Sequence, residues 1–184
     1  MQVFSVSMIV VVAIASGCGT SAGGGWIPSA GDPAKKATFG FNYSCNSSTN
    51  RLQGHLTYHD HGTGHKAIAE IDQPVPSLLS CSTFLPGVTS ACGVVRLGSG
   101  GVSPNDIMLA FSADGKPAAT ADALGVALFA SGSTSLAFCN SGVQTCASAP
   151  TLNDFLQCLV DNSVGTPYYQ NAGSLGGGNI TWTE

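Results

Sequence analysis

Short runs in which every second residue is apolar recur along the chain, and they restrict its fold class more than any other feature. In KATFGFNY (36–43), Phe39 and Phe41 fall on one side of an extended strand and Thr38 and Gly40 on the other; in GHLTYHD (54–60), Leu56 and Tyr58 alternate with His55 and Thr57. A period of two belongs to a β-strand with one buried face. Similar runs follow in HKAIAEID (65–72), GVVRL (93–97), IMLAFSA (107–113), LGVALFAS (124–131), SLAFC (135–139) and GNITWT (178–183). Glycine supplies 24 of the 184 residues, which suits tight turns between short strands. Two turns are well marked, His61-Gly62-Thr63-Gly64 and Asp114-Gly115-Lys116-Pro117. These features predict a mainly β domain, an antiparallel sandwich or barrel-like fold. One segment departs from the pattern. Leu152, Phe155, Leu156, Leu159 and Val160 recur at helical spacing behind Thr151 and Asp154, so a short helix is expected at about 152–161.

The first residues carry a second signal. MIVVVAIA (8–15) is apolar but too short to span a bilayer, and it runs straight into the small residues Ala15-Ser16-Gly17 before Cys18. That is how a signal peptide ends. The four residues Ala15-Ser16-Gly17-Cys18 resemble the lipobox of bacterial lipoproteins, which implies cleavage before Cys18 and a diacylglyceryl group on its thiol. On this reading residues 1–17 are a lipoprotein signal peptide, 18–34 the lipidated cysteine with a Gly-, Ser- and Pro-rich tether in which Trp26-Ile27 already has strand character, and 35–184 one β domain. The membrane would be reached through the anchor. Gly19 in place of Asp points to the outer membrane over the inner. Met1 to Ser7 lacks the usual Lys or Arg, so an uncleaved first strand or an ordinary signal peptide stays open.

Charge is sparse, at 9% of residues, and the formal balance is -4 with six scattered basic residues. No nucleic-acid footprint follows from that. Setting Cys18 aside for lipid leaves Cys45, Cys81, Cys92, Cys139, Cys146 and Cys158. An even set in an oxidising compartment reads as three disulfides, with fifteen pairings open. The short, Pro- and Gly-flanked separation of Cys81 and Cys92 favours a local bridge. Cys158 would pin the expected helix to the sheet.

Several motifs together resemble the secreted bacterial post-COAP-1 domain: GGGWI (23–27), KATFGFNYSC (36–45), GHLTYHDHGTG (54–64), ADGKPA (113–118), LGVALFASG (124–132) and LGGGNITWT (175–183). The resemblance spans most of the mature chain and implies a compact β fold without an assigned activity. Two Cys-bearing stretches, 73–93 and 139–167, look like insertions on that pattern. The echo of GGGWI by GGGNI also suggests that the first and last strands pair.

All four histidines lie in one window, His55, His59, His61 and His65, around Asp60. Imidazole is the commonest metal ligand. His55 and His59 share a strand face about 13 Å apart, too far for one ion, whereas His59, His61 and His65 can converge around the turn on Zn, Cu or Ni. The competing expectation is solvent-facing or turn-capping histidines. No D-x-D-x-D-G calcium loop is present, and any Ser–His–Asp set would need the same histidines, so a non-catalytic protein is expected. Asp60, Asp106, Asp114 and Asp122 read as turn caps. Trp26, Trp182, Tyr168 and Tyr169 are aromatic candidates for a sugar- or protein-binding patch, although aromatics at strand ends more often fill a core. The chain therefore reads as a structural, adhesive or binding protein of the cell envelope, with a metal-binding lipoprotein as the alternative.

Overall fold

A computed structural model describes residues 19–46, 48–49, 51–74, 88–114, 122–131 and 166–183. Nine strands follow in order: β1 (Thr20–Pro28), β2 (Lys36–Asn46), β3 (Arg51–Asp60), β4 (Lys66–Pro74), β5 (Val88–Ser99), β6 (Ile107–Ala113), β7 (Ala123–Phe129), β8 (Tyr169–Ser174) and β9 (Gly177–Thr183). All pairings are antiparallel, in one sheet of order β8-β7-β6-β5-β4-β3-β2-β1-β9. Of the two architectures expected from the alternation, the described residues form one curled, half-barrel sheet rather than two facing ones.

The alternation read from the sequence is the alternation of burial. On β2, Ala37, Phe39, Phe41, Tyr43 and Cys45 are buried, and on β3 Leu52, Leu56, Tyr58 and Asp60 are. They join Ile27, Ala67, Ala69, Ile71, Val95, Met108, Leu124, Val126, Leu128, Tyr169 and Ile180 in one cluster on the concave side. Burying such side chains, at about 1.5–3 kcal/mol for each large one, is what fixes the strand register. β6 and β7 are covered on both faces, because Ile107, Leu109, Phe111, Ala127 and Phe129 point away from that cluster and are still buried.

The curl brings the two ends of the strand order together. β8 and β9 occupy opposite ends of it, yet only Leu175 and Gly176 separate them in sequence. Across the concave side, Tyr169 of β8 meets Tyr58 of β3, their hydroxyl oxygens 2.6 Å apart, and Asn171 Nδ2 donates to the Pro28 carbonyl at 3.0 Å. GGGWI and GGGNI are indeed paired: Gly24 faces Asn179, Gly25 faces Gly178 and Trp26 faces Gly177. Gly178 has φ 108°, and a Cβ there would stand 2.1 Å from the Gly24 carbonyl oxygen. That backbone region is open to glycine and strained for other residues.

One expectation needs correcting. Within the segment 18–34 read as a tether, Thr20–Pro28 is strand β1, hydrogen-bonded on one side to β2 and on the other to β9. Its glycines serve close packing and not flexibility: a Cβ at Gly23 would strike the Phe41 ring at 2.8 Å, and one at Gly25 the Gly177 carbonyl oxygen at 2.3 Å. Strand β8, with its polar sequence YQNAGS, was not foreseen. The expected helix at 152–161, the run 135–139, most of the two presumed insertions and the Gly115-Lys116-Pro117 part of the second turn lie outside the described residues.

Candidate functional site

The histidine window lies at the end of β3, where the chain turns into β4. The turn is closed by backbone bonds from Asp60 N–H to the His65 carbonyl and from Gly64 N–H to the Asp60 carbonyl, both 2.8 Å. Asp60 itself, fully buried, points to the concave side. Its Oδ1 accepts from Ser29 Oγ, from Gly62 N–H at 2.8 Å and from Thr63 N–H at 3.2 Å; its Oδ2 accepts from Ala30 N–H at 3.1 Å and from the Tyr169 hydroxyl at 2.7 Å. Burial pushes this carboxyl up, but the donors from Ser29, Tyr169, Gly62 and Thr63 outweigh it and hold the group down at about 2. A carboxylate so fully committed fastens the β1–β2 loop, the β3–β4 turn and β8 to one another.

The network continues inward. Burial pushes the Tyr58 phenol up to about 12, and burial with the neighbouring Tyr58 and Asp60 pushes Tyr169 higher still. Asn171 Nδ2 donates to the Tyr58 hydroxyl at 2.8 Å. A second aspartate repeats the arrangement: Asp106 accepts from Ser103 N–H at 2.9 Å, Ser131 N–H at 3.0 Å and the Tyr168 hydroxyl at 2.8 Å. The adjacent Tyr168 and Tyr169 thus reach two different carboxylates. Asp122 Oδ2 accepts from Ile180 N–H at 2.6 Å. Asp60, Asp106 and Asp122, all read as caps, do bind backbone amides.

The histidines divide between faces. His55 is exposed, with Asn42 and Glu70 as its cross-strand neighbours. His59 faces the convex side between Thr38 of β2 and Lys66 of β4, and the His61 ring lies 3.9 Å from its own. His61 Nε2 is 3.2 Å from Thr38 Oγ1. His65 is elsewhere, its ring 4.5 Å from that of Tyr169 and its Nδ1 2.8 Å from Thr63 Oγ1. The structure therefore gathers His59 with His61 and leaves His65 and His55 apart. Among the described residues no three His, Cys, Asp or Glu side chains surround a common point. The His59 imidazole is held below its ordinary range by burial first, then by His61 and Lys66.

Sequence reading did not single out Lys66, Thr38 or Ser29 for this site. The turn carries a signal for Lys66, since a hairpin closed by residues 60 and 65 sets 59 opposite 66. Beside this rung a cleft of about 320 Å³ opens on the convex face, lined by Thr38, Gly40, Thr57, His59 and Lys66 among others. A Cβ at Gly40 would meet nothing within 4 Å.

Among the described aromatic candidates, Trp26, Tyr168 and Tyr169 do not form one patch. Tyr169 is buried and Tyr168 is tied to Asp106, while the Trp26 ring lies between Lys36 Nζ, 4.4 Å from its centroid, and the backbone at Gly176, where a Cβ would stand 2.2 Å from the ring. Cys45 and Cys92 are buried and disulfide-bonded. Cys18, Cys81, Cys139, Cys146 and Cys158 lie outside the described residues. Comparison of the chain with protein-family models, with curated proteins and with solved structures returns no match.

Proposed function

We propose that this chain is an exported, lipid-anchored, non-catalytic β-domain protein of the cell envelope, with a structural, adhesive or binding role. The export half rests on the apolar run 8–15 and the small residues before Cys18, and the outer membrane is the favoured address. The role rests chiefly on Asp60: the carboxylate nearest the histidines is spent on five donors that hold loops together, which is the work of a scaffold. Six remaining cysteines fit an oxidising compartment and three bridges.

The position of β1 adds a geometric consequence. Thr20 is already in the sheet, and Cys45 N–H donates to the Gly19 carbonyl at 3.2 Å. A lipid on Cys18 would hold the domain directly against the bilayer without a tether. Metabolic labelling with palmitate tests the reading: label is expected on the wild type and lost in Cys18→Ser, which should leave the membrane fraction. Unlabelled wild-type protein would refute it. The metal-binding alternative on His59, His61 and His65 is favoured less, because His65 lies against Tyr169 and Thr63 and the ammonium of Lys66 neighbours the other two. Calorimetry with Zn, Cu and Ni near neutral pH is expected to show no binding.

A further inference from the structure

We propose that the convex cleft at Gly40, lined by Thr38, Thr57, His59 and Lys66 with the His61 ring packed beside His59, is a binding site for a tetrahedral oxyanion, a phosphate or sulfate group carried by a soluble molecule. Three strands contribute. Thr38, His59 and Lys66 stand side by side on β2, β3 and β4, and the next rung places Thr57 beside Gly40. The missing side chain at Gly40 makes the depression, and its rim carries hydroxyl, imidazole and ammonium donors.

Charge on this face is unevenly matched. Arg51 is paired with Asp72 at 2.7 Å and Arg96 with Glu70 at 2.8 Å. Among the described residues Lys66 has no carboxylate partner, and neither does Lys36, whose ammonium lies over Trp26. The carboxylates at this end of the sheet are otherwise engaged: Asp60 is turned inward with its five donors, and Asp32 accepts from Ala34 N–H. Glu70, on the same face of β4 as Lys66, is two rungs away and held by Arg96. His65 is turned to Tyr169 and His55 is two rungs along β3, so neither borders the cleft. Cationic and neutral donors thus converge without a counter-ion, which is what an anion site requires. The His59 imidazole is lowered by burial, His61 and Lys66, which together outweigh the opposite pull of the inward-facing Asp60 carboxylate.

Orientation argues for a soluble source. The cleft lies level with Gly24 and Trp26 of β1, about 13–20 Å along the strand from Thr20, so an anchor on Cys18 would present it away from the bilayer. That orientation rests on the anchored reading, and the two fail separately: an unlipidated Cys18 changes the protein's mass, whereas an empty cleft leaves the mass untouched.

Inorganic sulfate is the probe, because its charge stays fixed between pH 5 and 8. Histidine Cε1–H resonances are followed by NMR against pH in sodium sulfate and in sodium chloride of equal ionic strength. Sulfate should raise the apparent pKa of His59 and move the His61 resonance while leaving His55 and His65 at their chloride values. Affinity should rise about fivefold from pH 7.5 to 5.5 as the His59 imidazole becomes cationic. Lys66→Ala should abolish the response. Gly40→Leu should also abolish it by filling the cleft, with an unchanged unfolding midpoint showing that the fold is retained. Equal movement of all four histidines, or persistence of the response in both variants, would overturn the proposal. Vesicles of phosphatidylcholine with phosphatidylglycerol should not retain the protein with its first 18 residues removed; retention abolished by Lys66→Ala would overturn the soluble source.

Discussion

Replacing Asp60 with asparagine tests whether this carboxylate is the fastening of the barrel end. The substitution preserves size and removes charge. Asparagine keeps one carbonyl oxygen, so if it serves Ser29, Gly62 and Thr63, the amide nitrogen faces Ala30 N–H and the Tyr169 hydroxyl. A buried backbone donor left facing another donor costs about 1–3 kcal/mol. Lowering the carboxyl from 3.8 to about 2 corresponds to about 2.5 kcal/mol in favour of the charged form. The two figures describe overlapping interactions, so the expected loss at pH 7 is about 3 kcal/mol in total. The folded-state value lies below the unfolded one. The charge-dependent part is therefore complete well above 3.8 and drains away as pH falls through 3.8 toward 2. Guanidinium unfolding followed by tryptophan fluorescence should show Asp60→Asn about 3 kcal/mol below wild type at pH 7, with about 2 kcal/mol of that gap gone near pH 2. A gap under about 0.5 kcal/mol at pH 7, within the range of ordinary surface substitutions, or one of equal size at both pH values, would show that Asp60 does not fasten these loops.

Other substitutions probe separate joints. Tyr169→Phe removes the hydroxyl shared by Asp60 and Tyr58 and should cost about 1–3 kcal/mol by the same assay. Gly176→Ala places a methyl against the Trp26 ring; a loss of about 1–3 kcal/mol is expected, with a shift in the emission maximum as the ring moves. Gly40→Ala enters open space on extended backbone, so the unfolding midpoint should stay unchanged or rise by up to about 1 kcal/mol in stability.

Strands β2, β3, β4, β6, β7 and the middle of β5 were legible because one or both faces are buried and the chain advertises it: Phe39, Phe41 and Tyr43 on β2, or the apolar run Ile107 to Phe111 on β6; β9 was read from the alternation in GNITWT, where Ile180 is buried. β1 was half hidden. Its glycines mimic linker composition, and the reason for them, the Phe41 ring and the Gly177 backbone, lies in other strands. β8 was invisible, since Tyr169 is its one buried side chain and the remaining residues are polar or small. At the site, the histidine window and the capping role of Asp60 toward Gly62 and Thr63 were readable from the turn. Which imidazoles meet was not, because the pairing depends on His59 and His65 leaving the hairpin on opposite faces. Ser29 and Tyr169 reach Asp60 from 31 and 109 residues away in sequence, and no local pattern encodes that.

A lipid on Cys18 would sit two residues before the first strand begins at Thr20. Intact mass of protein extracted from membranes tests this anchor most directly. The expected species is a chain beginning at Cys18, heavier by its acyl groups and lighter by six hydrogens for three disulfides. A soluble mature protein with an unmodified Cys18 thiol, or a chain still carrying residues 1–17, would contradict it.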